Sequence, residues 1–171
     1  MMKLLHIGQL IGGLDVYIRN SIEYASGDIE YVIIHGEKDG NKPIICNGKP
    51  VKEYLTALQR NLNPIKDFKA IIQAVRIIKK ERPDVIHCHS AKGGIVGRIA
   101  GWITGTKTLY TPHGFSFLCS PSAIKRFVFK TIERMTRFGS YMLACGEGEQ
   151  SLGESEIGYK GNKSLCWHNC V

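Results

Sequence analysis

Short apolar runs with strand character alternate with helical runs along nearly the whole chain, and this alternation restricts the fold more than any single motif. Lys3 to Gly8 reads as a strand, Gln9 to Gly13 as a loop, and Leu14 to Ala25 as a helix with Val16, Ile18 and Ile22 as its apolar members. Tyr31 to His35 reads as a buried strand, and Lys42 to Tyr54 as two extended pieces around the Asn47-Gly48 turn signal. Asn63 as N-cap and Pro64 at the first helical position open a strong helix. There Ile65, Phe68, Ile71, Ile72, Val75 and Ile78 recur at helical spacing, which predicts a core-directed face, and Pro83 ends the run. Further strands are expected at Asp84 to Cys88, Lys107 to Thr111, Tyr141 to Cys145 and Ser164 to Trp167. The helices between them are Gly94 to Ile103, Ser122 to Phe138 and Glu147 to Ile157. Strands separated by helices require parallel crossovers, so the expectation is an α/β fold with a Rossmann-like, doubly wound, mainly parallel sheet in one domain over residues 1–171.

A chain of 171 residues with 43% hydrophobic content can bury one substantial core. Arg98 and Lys107 interrupt its most apolar region, so no run reaches the length of a membrane span. The sequence starts directly on a strand without a signal-peptide pattern, and a cytoplasmic location with reduced, mostly buried thiols is expected. Cys166 and Cys170 form one C-x3-C with no second pair, which is a poor zinc signature, and no metal is expected. The formal charge of +8 favours anionic partners such as phosphates or an acidic membrane surface. Nucleic acid is not expected, because no paired Cys/His finger, RNA-binding aromatic signature or helix-turn-helix pattern is present.

Candidate chemistry concentrates where strands end. In Thr111-Pro112-His113-Gly114-Phe115-Ser116-Phe117, Pro112 stops a strand and Gly114 admits close backbone approach, which places His113 where open α/β sheets hold ligands. Gly12 and Gly13 precede the first helix, so their N–H groups either face a phosphate or form a plain turn. Neither G-x-G-x-x-G nor the Walker pattern is present, which argues against a nicotinamide enzyme and a P-loop hydrolase. Alternation projects His87 and His89 to one face of their strand, where they line the top of the sheet or, with a third ligand, chelate a metal; no third ligand is evident nearby, and lining is favoured. Ser90 and Lys92 open the next helix as a second candidate anion site, and Gly93, Gly97 and Gly101 form a stripe suited to close packing. The helix from Ser122 to Phe138 separates Ile124, Phe127, Val128, Ile132 and Met135 from Arg126, Lys130, Arg134 and Arg137. Phe129 falls among the charges, so Arg126, Phe129 and Lys130 are the candidates for contact with acidic lipid, with a merely solvated face as the default. Glu147 and Glu149 open a later helix as caps or as acid/base groups.

Taken in order, four stretches resemble glycosyltransferase family 4. They are Gly12-Gly13, Pro83-Asp84-Val85-Ile86-His87-Cys88-His89 with Gly94-Ile95-Val96-Gly97-Arg98, Thr111-Pro112-His113-Gly114, and Ala144-Cys145-Gly146-Glu147. The resemblance covers essentially the whole chain and corresponds to the N-terminal, acceptor-side half of a two-domain GT-B fold. The closing Trp167-His168-Asn169-Cys170-Val171 resembles the segment that leads into the family's second domain. The donor-binding domain with its paired glutamates is absent from these residues, so the resemblance implies half an active site that does not turn over alone. It further implies a retaining transfer from a nucleotide-sugar, which is a substrate and not a cofactor, to a glycan or lipid-linked acceptor in bacterial surface polysaccharide synthesis. By position, Gly12 and Gly13 would approach the donor phosphates and His113 the sugar. Phe115 and Phe117 would flank the acceptor entrance, and His87, His89, Ser90, Lys92 and Glu147 are further cleft candidates. The basic helix would suit peripheral docking on the inner membrane face. Gly146 and Cys170 depart from the family's usual serine and glycine. The rival expectation is a stand-alone module that binds anionic lipid or polysaccharide without catalysis.

Overall fold

In a computed structural model, which describes residues 1–25, 28–38, 40, 42–61 and 63–168, seven strands form one sheet. The strands are β1 (Met2–Ile7), β2 (Ile29–His35), β5 (Lys52–Leu55), β6 (Val85–His89), β7 (Lys107–Thr111), β8 (Tyr141–Ala144) and β9 (Ser164–Cys166). Their order is β5-β2-β1-β6-β7-β8-β9, and every pairing is parallel. The helices are α1 (Gly13–Glu23), α2 (Pro64–Glu81), α3 (Ser90–Thr104), α4 (Ala123–Met135) and α5 (Glu147–Leu152), the last continuing into a π-helical turn over Gly153–Ile157. The short strands β3 (Ile45–Cys46) and β4 (Lys49–Pro50) pair antiparallel around Asn47-Gly48, as the turn signal predicts. From β1 the chain winds outward to β2 and β5, then returns to place β6 on the opposite side of β1. The gap above β1 and β6 is therefore the topological switch point, where open sheets hold ligands.

Strand alternation divides the interior in two. Leu5, Ile7, Ile86, Cys88 and Tyr110 pack beneath α2 and α3 with Ala70, Ala74, Ile78 and Val96. On the other face Ile18 and Ile22 of α1 meet Leu10, Tyr31 and Ile33. The glycine stripe is a packing device: a Cβ on Gly93 would come 2.7 Å from the Ile7 carbonyl oxygen, and one on Gly97 would overlap Cys88. Asn63 caps α2 by accepting from the Lys66 N–H at 3.1 Å. That helix nonetheless turns differently from its apolar periodicity. Ala70, Ala74 and Ile78 face the core with Ile71 and Val75 alongside, while Ile65 and Phe68 are exposed, because α2 approaches the core through small residues.

The apolar side of α4 does not face the core. Ile124, Phe127 and Met135 are 76%, 70% and 70% exposed, whereas Phe129 packs against the core and Glu133, four residues on, is buried. The cause is Arg98. This fully buried guanidinium lies over the Tyr110 ring and pairs with Glu133 at 2.7 Å, and it also donates to the Gly94 carbonyl at 3.0 Å. Tyr110 donates its hydroxyl to the other Glu133 oxygen at 3.0 Å. A buried charge left without its partner is costly, so α4 must present Glu133 inward, and the apolar stripe swings out. Glu133→Ala is expected to lose about 3–5 kcal/mol of stability by stranding Arg98, and Arg98→Met with Glu133→Leu to recover most of it, as read from urea midpoints.

Candidate active site

The carboxyl ends of β1, β6 and β7 converge at the switch point. Gly12 caps α1 at φ 60° and ψ −135°, a conformation effectively reserved for glycine, and a Cβ on Gly12 or Gly13 would meet open space. The N-terminus of α1 thus presents an exposed, unobstructed backbone to the cleft. Asp15 in its first turn is neutralised by Arg19 at 2.9 Å. At the ends of β6 and β7, Ser90 and His113 hold φ 58° and 53°, left-handed values that are uncommon for non-glycine residues. The two residues stand on adjacent strands beside the switch point.

His113 is half-buried and braced on every side. Its Nε2 lies 3.2 Å from His89 Nδ1 and its Nδ1 lies 3.5 Å from Cys145 Sγ. Tyr17 of α1 meets its ring edge-on at 4.7 Å between centroids. His89 continues the chain inward, with its Nε2 2.9 Å from His6 Nδ1. His87 Nε2 is 2.8 Å from Thr111 Oγ1. Burial pulls His6 and His113 down to about 4, and it holds His87 and His89 well below the ordinary imidazole range. All four imidazoles are therefore neutral near pH 7, and each carries one donor and one acceptor nitrogen. The arrangement is a neutral relay from His6 through His89 and His113 to Cys145. Glu149 holds its outer end in place by accepting from the Gly114 N–H at 2.6 Å and the Cys145 N–H at 2.8 Å.

The structure brings Gly12, Gly13, Ser90 and His113 together and separates several other candidates from them. His87 and His89 are buried beneath the cleft, so only His113 reaches it. Phe115 and Phe117 do not flank an entrance: they stack on one another at 5.2 Å inside the core, because the chain dives inward after Gly114. Lys92 is paired with Asp67 of α2 and offers no unpaired charge to an anion. Glu147 is exposed, and its neighbour Glu149 does the bracing. Phe129 packs inward and Lys130 pairs with Glu156 at 2.6 Å, which leaves only Arg126 of the three lipid-facing candidates exposed. The readings on Asn169, Cys170 and Val171, including the C-x3-C, lie outside the described residues. Sequence reasoning missed His6, Tyr17 and Cys145 as site residues, and it gave Glu149 as a cap or acid/base group without its bracing of Gly114 and Cys145. Tyr17, one helical turn after Gly13, carried a usable spacing signal; His6 and Cys145 join the site only through strand pairing and loop contact.

Among the described residues no helix is long and apolar enough to cross a membrane. An alpha-1,3-galactosyltransferase of Escherichia coli, named for UDP-Gal and alpha-D-GlcNAc-diphosphoundecaprenol, is 35% identical over 97 residues, which are 56% of this chain and 25% of that protein. The capsular polysaccharide biosynthesis glycosyltransferase CapM of Staphylococcus aureus is 26% identical over 131 residues, 72% of this chain and 33% of its own. The chain thus spans a quarter to a third of these relatives. The lipopolysaccharide outer core galactosyltransferase WaaB superposes with a TM-score of 0.68 at 17% identity, covering 99% of this chain and 46% of that one, a likeness of fold. The family model of Glycosyltransferase Family 4 matches residues 11–171, and with its parallel sheet and glycine-flanked switch point the chain belongs to that family.

Proposed function

We propose that residues 1–171 form the acceptor-side half of a retaining sugar transferase that acts in bacterial surface polysaccharide synthesis. The observation that carries this reading is the convergence of the Gly12-Gly13 helix entry with the strained His113 turn at the switch point of a family 4 chain. The donor is a nucleotide-sugar, whose phosphates the exposed α1 N-terminus attracts, and the transfer draws on no cofactor. His113, neutral and held on both nitrogens, borders the sugar as a rigid wall rather than as a cation. The acceptor is a glycan or lipid-linked sugar, in keeping with relatives named for diphosphoundecaprenol and capsule synthesis. Donor binding itself falls to a second domain bearing the paired glutamates that the resemblance implies.

The outward face of α4 supports a peripheral position of this half on the inner surface of the membrane. Ile124, Phe127, Val128 and Met135 form one exposed stripe, and Phe138 extends it while stacking on exposed Trp102 at 4.9 Å. Lys125 lies beside the stripe, so apolar insertion and attraction to anionic headgroups act together. The docking face is thus the apolar arc with Lys125, in place of the set of Arg126, Phe129 and Lys130.

Three experiments test the reading. The purified chain, given a UDP-sugar and a lipid-linked acceptor, is expected to yield no product, and sugar transfer by it alone would contradict the half-site. When it is joined to a donor-binding domain, His113→Ala is expected to lower transfer by about 10²-fold or more without loss of fold. Co-sedimentation with phosphatidylglycerol vesicles is expected to be abolished by Phe127→Glu, and to weaken both with added salt and in Lys125→Gln. Binding that survives Phe127→Glu removes α4 from the membrane contact, and vesicle binding without transfer in the joined form favours the non-catalytic module.

A further inference from the structure

Three imidazoles meet where the sheet divides. The parallel register of β1 and β6 sets His6 directly opposite His87, and His89, two residues on, shares their face. One nitrogen from each of His6, His87 and His89 lies within 4.8 Å of the others, and all three residues are buried. This cluster supplies the third ligand that the sequence alone did not reveal for His87 and His89.

Its surroundings are those of a nitrogen-ligand metal site. Ligating histidines characteristically commit their remaining ring nitrogen to a polar partner, which fixes the tautomer and the ring orientation. Here His87 Nε2 is engaged by Thr111 Oγ1 at 2.8 Å, and His89 Nδ1 by His113 Nε2 at 3.2 Å. That leaves the opposite nitrogen of each ring for an ion. His6 turns its Nδ1 toward this point, 2.9 Å from His89 Nε2, and its buried Nε2, which has no hydrogen-bond partner among the described residues, is left to carry the ring proton. The rings crowd together, with centroids of His87 and His89 4.0 Å apart and those of His6 5.3 and 5.2 Å from them, although nothing in an apolar core requires three imidazoles.

We propose that His6, His87 and His89 form a tris-histidine site for a divalent zinc-class cation, which staples β1 to β6 at the switch point and positions His113 through His89. Three neutral imidazoles suit Zn²⁺, with water or another oxygen in the fourth position. On coordination the proton now shared between His6 and His89 moves to the ring nitrogen of His6 left free, so the site gains only the charge of the ion. The ion sits below the cleft and does not take part in sugar transfer, so the site stands whether or not the transferase reading holds.

The test uses the 171-residue chain refolded with Zn²⁺ or Co²⁺, so that burial cannot block entry, and then desalted. The expected result is one metal per chain, a Tm that rises with Zn²⁺ concentration, and visible Co²⁺ bands of tetrahedral nitrogen ligation. Thr111→Val, which preserves shape while removing the partner of His87, is expected to weaken binding about tenfold. His87→Gln is expected to abolish it. A metal content near zero in the refolded chain would overturn the proposal. So would a near-ultraviolet thiolate-to-cobalt band, which would assign the ion to cysteines, or undiminished stoichiometry in His87→Gln.

Discussion

The pairing of β1 with β6 is the constraint on which the rest of the molecule depends. Because β2 and β5 wind to one side of β1 and β6 starts the other, this one parallel contact joins the two halves of the sheet. Its register fixes which residues stand together: Leu5 beside Ile86 in the core beneath α3, and His6 beside His87 on the opposite face. The same pairing brings the Gly12-Gly13 helix entry next to the strained Ser90 and His113 turns. Glycine packing tightens it further, since Gly93 and Gly97 let α3 lie against Ile7 and Cys88.

A second constraint acts at a distance. Arg98, carried inward by the α3 packing face, requires a counter-charge, and Glu133 supplies it from α4. Satisfying that charge fixes the rotation of α4 and leaves Ile124, Phe127 and Met135 facing outward. An internal electrostatic requirement thereby determines an external apolar surface. The buried ion pair and the exposed apolar stripe are two ends of one helix rotation.

Strand and helix positions were legible from the sequence because their signals are local. Asn63-Pro64 opened α2, Asn47-Gly48 made the hairpin, and the alternating apolar runs gave the parallel sheet. Helix rotation was not legible where burial departs from apolar count: Ala70 and Ala74 outrank Ile65 and Phe68 on α2, and Glu133 outranks Phe127 on α4. At the site, Gly12, Gly13 and His113 could be placed because punctuation around a strand end is a local pattern. His6 could not be joined to His87 and His89, since that contact spans more than eighty residues and exists only through strand register. Phe115 and Phe117 were misplaced for a related reason: adjacency to His113 in sequence says nothing about which way the chain turns after Gly114.

The central claim is that the acceptor meets the chain at the carboxyl ends of β1, β6 and β7. Backbone amide NMR of the 171-residue chain, titrated with a short-chain lipid-linked sugar acceptor, tests it most directly. The account predicts saturable shifts at Gly12, Gly13, Ser90, His113 and Gly114, with the opposite edge of the sheet around Pro83, Asp84 and Thr106 unchanged. Shifts confined to that opposite edge, or no saturable shifts at all, would contradict it.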